Sequence, residues 1–204
     1  MKKHKFFEGY LDVDVNALSD YIMSLKDKIS NGLIDNIDSQ SLKKARDLHD
    51  LGGLYNVFQF HNIEVNKLYR ALRKLMIEVC EYYDLDFDNE QFMIQGWINT
   101  QGIKDPELSK DTHYHDHLGG SGAPNFHGYY CINAEPSSTF YKIGGHSGNI
   151  VENINKNNRL IISETGHPHG IGPWHKDEPR ITIAYDISPL RIMGGDKEQH
   201  WIPL

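Results

Sequence analysis

At Asp84 the hydrophobic rhythm of the chain changes. Before it, apolar residues recur every three or four positions: Val15, Leu18, Ile22, Leu25 and Ile29 share one helical face, and so do Val65, Leu68, Leu72, Leu75, Met76, Val79 and Tyr83. The spacing predicts amphipathic helices over 15–29 and 62–83, with Asp14 placed to cap the first. After Asp84 the apolar residues gather in short alternating runs parted by Gly, Pro, Asn and Asp. Runs at 91–100, 127–134, 138–143, 159–163 and 180–187 are rich in β-branched and aromatic residues and read as half-buried strands. Between the helices, residues 30–60 carry the breakers Ser30-Asn31-Gly32 and Leu51-Gly52-Gly53, and 54–60 reads as a strand or a short buried segment. Helices first and strands afterwards predict an α+β fold in which N-terminal helices brace one sheet. No repeat or linker divides the chain, so one domain is expected over 1–204: helical support to 90, a β core over 91–190, and a C-terminal extension over 191–204.

Composition narrows the function classes. The chain of 204 residues contains no apolar run long enough to cross a membrane, and its mean hydropathy of −0.56 is that of a protein in water. The net charge of −7, with lysines and arginines that form no dense stripe, argues against nucleic acid as the main partner. Cys80 and Cys131 are the only cysteines and form no CxxC pair, which removes disulfide scaffolds and zinc ribbons. The opening residues lack the apolar stretch of a secretory signal, so a cytoplasmic location is expected, and no feature fixes an oligomeric state.

Histidine is the unusual residue. Of 12 histidines, eight fall between His113 and His175. His113, His115 and His117 are spaced i, i+2 and i+4, so on an extended strand they share a face and two of them can reach one cation. A third ligand can come from Gly166-His167-Pro168-His169-Gly170, which follows the apolar strand Leu160-Ile161-Ile162. Two HxH motifs about fifty residues apart suit a jelly roll that delivers ligands from facing strands. Structural zinc or adventitious binding is the main competitor: zinc sites usually keep four protein ligands with cysteine common among them, whereas an open site of three ligands leaves room for substrate and oxygen. Eleven residues after His169, Arg180 and Thr182 project to one face of a strand, a fork suited to a carboxylate.

With these residues the sequence resembles the iron(II)- and 2-oxoglutarate-dependent oxygenases, in particular the phage and bacterial group related to prolyl hydroxylases. The resemblance runs from Gln91 to Ile187 through GWINTQ (96–101), THYH (112–115), HGYYCINAEPSS (127–138) and above all NRLIISETGHPHGIGPWHKDEPRITIAYDI (158–187). It implies a double-stranded β-helix, of the jelly-roll or cupin-like kind, braced by N-terminal helices. It also implies iron(II) and 2-oxoglutarate as cofactors, oxygen as cosubstrate, and hydroxylation of an unactivated C–H bond of a peptide, protein or small molecule, with release of succinate and carbon dioxide. His169 matches the distal metal ligand, and Arg180 with Thr182 matches the clamp on the far carboxylate of 2-oxoglutarate. Tyr130 or Tyr129, and Asn99 or Trp97, are further candidates for cosubstrate contacts.

The chain departs from the family pattern at the proximal motif, where most members have His-x-Asp or His-x-Glu. His113 and His115 are the first choice of ligands there and His115 with His117 the second; Asp116 would face away on a regular strand and could ligate only from a bulge. His167 is expected at the rim of the site, and His127, His146 and His175 at the surface or behind the ligands. The polar stretches 118–125 and 144–158 are expected to cover substrate. Two other readings fit part of the pattern. A cupin-like three-histidine enzyme without 2-oxoglutarate leaves Arg180 and Thr182 unexplained, and a non-enzymatic metal-binding protein leaves the open site unexplained.

Overall fold

Two helices lie against one face of a six-stranded sheet, whose other face looks across an interior space at a sheet of three strands. The computed structural model describes residues 3–30, 55–101, 114–117, 125–192 and 200–204. His113 and most of the stretch 118–125 lie outside the described residues.

Helix α1 (Val15–Ser30) starts at Asp14, whose carboxylate accepts from the amides of Asn16 and Ala17. Helix α2 (Ile63–Tyr83) is capped by Asn62, whose side chain accepts from the amides of Glu64 and Val65. It stops at Asp84, which adopts the left-handed conformation (φ 57°), and the Leu85 amide returns to the Cys80 carbonyl at 2.9 Å. Glu64 joins the two helices by accepting from the Asp14 amide at 2.9 Å. Leu18 and Ile22 of α1 and Leu68, Leu72 and Val79 of α2 are fully buried in the main core, as the helical periodicity predicts.

Strands β1 (Phe7–Tyr10), β2 (Phe92–Gln101), β3 (Phe126–Asn133), β6 (Arg159–Glu164), β8 (Arg180–Pro189) and β9 (Ile202–Pro203) form the large sheet in the order β1-β6-β3-β8-β2-β9. The small sheet has the order β5-β4-β7, from β4 (Ser138–Ile143), β5 (Asn149–Ile154) and β7 (His169–Ile171). Every pairing is antiparallel. This is a double-stranded β-helix braced by helices, an α+β architecture.

Alternation divides the large sheet into two faces. Ile181, Ile183, Tyr185 and Ile187 of β8, with Phe126, Tyr130 and Ile132 of β3, pack toward the helices. Arg180, Thr182, Ala184 and Asp186, with His127, Tyr129 and Cys131, take the positions between and face the small sheet. Gly128 permits the close fit of β3 among its neighbours: a Cβ there would stand 1.9 Å from the Ile161 carbonyl oxygen and against the Tyr185 ring.

Three expectations change. Of the two readings of 54–60, the short buried segment holds and the strand does not: Tyr55, Asn56 and Val57 are buried and Val57–Gln59 is a 3-10 turn. The stretch 144–158 is not simply a covering loop, because β5 within it pairs with the whole length of β4. Strand β1 was missed because it is only four residues long and its partner in β6 lies some 150 positions away. No helix among the described residues is long and apolar enough to cross a membrane.

Candidate metal centre

The stretch 114–117 runs beside β7. His115 and His169 exchange backbone hydrogen bonds, 3.0 Å from the His115 amide and 2.8 Å from the His169 amide. Lys142 Nζ sits 4.1 Å above the Tyr114 ring and holds the stretch against β4. As a result, one ring nitrogen from each of His115, His117 and His169 lies within 4.8 Å of the others. The pair brought together with His169 is therefore His115 and His117, the second choice of the sequence analysis, while His113 lies outside the described residues. Asp116 points elsewhere, with Oδ2 3.6 Å from His146 Nε2, as alternation requires of the residue between two ligands.

The electrostatics of the three rings differ. His117 Nδ1 meets the Asp186 carboxylate at 2.8 Å, and its ring stacks between those of Trp97 and His127. Burial pushes the His117 pKa down, but the hydrogen bond and charge of Asp186 outweigh it, and the net shift is upward. An imidazole that donates Nδ1–H to a carboxylate has its other nitrogen free and more basic, the arrangement of a metal-bound histidine. His169 is pushed down to about 3 by burial and by the neighbouring His115 and His117, so it is a neutral donor. Its ring also interacts with the His167 backbone, which fixes its orientation toward His115 and His117. His127, buried and held well below the usual histidine range by desolvation and by His169, stacks 4.5 Å from the His169 ring and backs the cluster.

Asp186 supplies the first test of this arrangement. Asp186→Asn leaves His117 without its charged acceptor, and we expect metal affinity to fall about 10- to 100-fold with little change in fold. Equilibrium dialysis of the variant and the parent measures it; equal affinities would mean that His117 is not a ligand.

Deeper between the sheets lies a second polar group. Arg180 is 1% exposed. Its Nε donates to Ser137 Oγ at 3.1 Å, and Nη1 lies 3.5 Å from Thr182 Oγ1. Ser137 is fixed in turn, because its hydroxyl donates to the Ala134 carbonyl at 2.6 Å and accepts from Asn155 Nδ2 at 2.9 Å. Asn99 is the register partner of Thr182 across β2 and β8, which places it beside the clamp. Between the histidines and Arg180 stand Tyr141, whose ring is 5.3 Å from that of His169, and Tyr129. Burial raises both phenols well above their usual range, so they stay protonated. The Tyr129 hydroxyl meets that of Thr139, and the Tyr141 hydroxyl meets that of Tyr129, so the two phenols form a buried polar chain beside the cluster.

Tyr130 is a correction. Its ring lies in the helix-facing core and its hydroxyl donates to Asn158 Oδ1 at 2.6 Å, so it cannot reach the interior between the sheets. Alternation with Phe126 and Ile132 puts Tyr130 on the helix side, and with His127 and Cys131 puts Tyr129 on the other. The same rule, run along β8 from Arg180 and Thr182, would have picked out Asp186. Tyr141 and Ser137 carried no comparable signal. Trp174 is buried, with Nε1 donating to the Glu178 carbonyl, and serves the hairpin itself. His146 and His175 are both exposed, and His167 lies at the rim, where Gly144 donates to its Nδ1 at 3.2 Å.

Compared by sequence, the chain matches no family model and no curated protein. Compared by structure, it is similar to AviO1 from Streptomyces viridochromogenes Tue57, with a TM-score of 0.61 at 12% identity, covering 95% of this chain and 93% of that one. It is similar to a Pseudomonas putida prolyl-4-hydroxylase, with a TM-score of 0.55 at 11% identity, covering 92% and 89%. A third similar structure is SnoN, a non-heme alpha ketoglutarate dependent epimerase from nogalamycin biosynthesis, with a TM-score of 0.54 at 12% identity, covering 98% and 90%. The fold is shared with them. SnoN is also known in complex with Fe3+ and alpha ketoglutarate.

Proposed function

We propose that the chain is a non-haem iron(II)- and 2-oxoglutarate-dependent oxygenase that hydroxylates an unactivated C–H bond of a peptide, protein or small-molecule substrate. The observation that carries the reading is that a fully buried guanidinium and a three-imidazole cluster open onto the same interior of a double-stranded β-helix. The clustered ring nitrogens of His115, His117 and His169 suit a cation, and the buried guanidinium with the neutral phenols of Tyr129 and Tyr141 suits a polyoxygenated acid in that space. The fold likeness to SnoN and to the prolyl-4-hydroxylase supports the class, and the resemblance of the sequence to prolyl hydroxylases favours hydroxylation among the reactions the fold carries.

In this reading His115, His117 and His169 hold iron(II), and Arg180 and Thr182 hold the distal carboxylate of 2-oxoglutarate. Bound together, iron(II) and 2-oxoglutarate supply oxygen activation, with succinate and carbon dioxide as the co-products of substrate hydroxylation. The protein supplies geometry. Asp186 and Trp97 fix the plane of the His117 ring, and Ser137 fixes the guanidinium. Tyr129 and Tyr141 offer neutral hydroxyl donors to oxygen atoms bound between the metal and Arg180. The apolar lining from Ile161 and Ala134 keeps water from the closed end, while the exposed His115 leaves the other end open to substrate. Three neutral imidazoles leave the ion its full charge, unlike a set that includes a carboxylate, and so make it a stronger Lewis acid.

The reading is tested by aerobic incubation of the protein with iron(II) and 2-oxoglutarate, with and without candidate peptides and metabolites. The expected result is slow succinate release that stops when the metal is chelated, and a gain of one oxygen in the true substrate. No succinate above a protein-free control would overturn it.

A further inference from the structure

A second group of ligand-type side chains sits on the far side of the turn that delivers His169. His4 precedes β1, Glu164 ends β6, and His167 lies between β6 and β7; one ligand atom from each lies within 4.8 Å of the others. The His4 and His167 rings meet edge to face with centroids 4.2 Å apart. Both ring nitrogens of His4 are buried, and neither has a hydrogen-bond partner among the described residues. A neutral imidazole carries one donor and one acceptor, and burying both unmatched is a cost that native structures seldom leave standing without a bound group. Glu164 keeps carboxylate capacity for a cation, since the hydrogen bond its Oε2 accepts from the Tyr83 hydroxyl is long, at 3.4 Å.

We propose that His4, Glu164 and His167 form a second metal site that takes a zinc-like divalent ion and clamps the N-terminal segment to the turn between β6 and β7. Two imidazoles and a carboxylate are a donor set that zinc accepts, with a fourth position left for water, whereas calcium and magnesium prefer oxygen alone. The site is separate from the three-histidine cluster: Tyr141 stands between them, packed against His169 on one side and against Phe6, the residue two beyond His4, on the other. A metal there would tie the N-terminal segment to a turn about 160 positions away in sequence, at the base of the strand that carries His169. His167 Nδ1 now accepts from the Gly144 amide, so coordination through Nε2 moves the ring proton to Nδ1 and releases that exposed contact.

The probe is zinc(II) alone, dialysed against metal-free full-length protein and counted by mass spectrometry. We expect wild type to hold about two equivalents, and His169→Ala and His4→Gln about one each. In the His169→Ala background zinc should also raise the thermal midpoint, and adding His4→Gln or Glu164→Gln should abolish that rise. A wild-type stoichiometry unchanged by His4→Gln, or a His169→Ala protein that takes up no zinc, would overturn the proposal. Its failure is distinguishable from that of the oxygenase reading: the equivalent that depends on His169 belongs to that reading, and the equivalent that depends on His4 belongs to this one.

Discussion

His169→Ala is expected to cost the protein its iron(II), with affinity falling more than about 100-fold, beyond the 10- to 100-fold that loss of an outer partner of a ligand brings. His169 is central to the cluster. Its ring lies 4.5 Å from that of His115 and from that of His127, and its backbone is paired with His115. Removing the ring leaves two imidazoles, one of them exposed, too few to compete with water for a divalent ion. The fold should survive, because the bridge to His115 uses main-chain atoms that alanine retains. Iron(II) binding followed by anaerobic dialysis, with circular dichroism as the check on folding, decides the matter; near-parental affinity would remove His169 from the ligand set.

Arg180→Met is expected to weaken 2-oxoglutarate binding about 100-fold or more while leaving metal affinity nearly unchanged. Each charge-assisted hydrogen bond to a carboxylate contributes about 1.5–3 kcal/mol, so losing a two-pronged contact in a dry site amounts to two decades or more. Methionine is preferred to alanine because Arg180 is among the largest fully buried side chains, and truncation there would add a cavity cost unrelated to binding. Arg180→Lys should fall between the two, since it keeps the charge and loses the planar fork. Calorimetric titration of 2-oxoglutarate into metal-loaded protein separates the outcomes. Equal affinity in Arg180→Met and wild type would move the carboxylate site elsewhere.

Much of the architecture could be read from the chain because its periodicities are strong. The seven-residue apolar face of α2 and the alternation of β8 each specify their element and the side it buries. The His169 and Arg180 placements were legible for the same reason, since each stands at a fixed step from an unmistakable strand. What failed was local. In HGYYCIN the choice between Tyr129 and Tyr130 turns on one residue of register, and a slip of one sends a side chain to the other face of the sheet. Strand β5 leaves Ile150, Val151 and Ile154 exposed and buries Asn153, so no apolar alternation marks it and backbone pairing to β4 defines it. Asp186 could have been found by running the alternation of β8 on from Thr182, whereas Tyr141 matters through neighbours far away in sequence, which no local pattern reports. The His4 grouping is of that kind, joining residues about 160 positions apart.

The central claim is that three imidazoles and one buried guanidinium serve the same bound pair, a metal ion and a five-carbon diacid. Its most direct measurement is the visible absorption of anaerobic, iron(II)-loaded wild-type protein as 2-oxoglutarate is added. A charge-transfer band that grows to saturation near one equivalent, and that shifts to far higher 2-oxoglutarate concentration in Arg180→Met, is the predicted result. Iron(II) held firmly by the protein with no such band at any concentration of 2-oxoglutarate would contradict it.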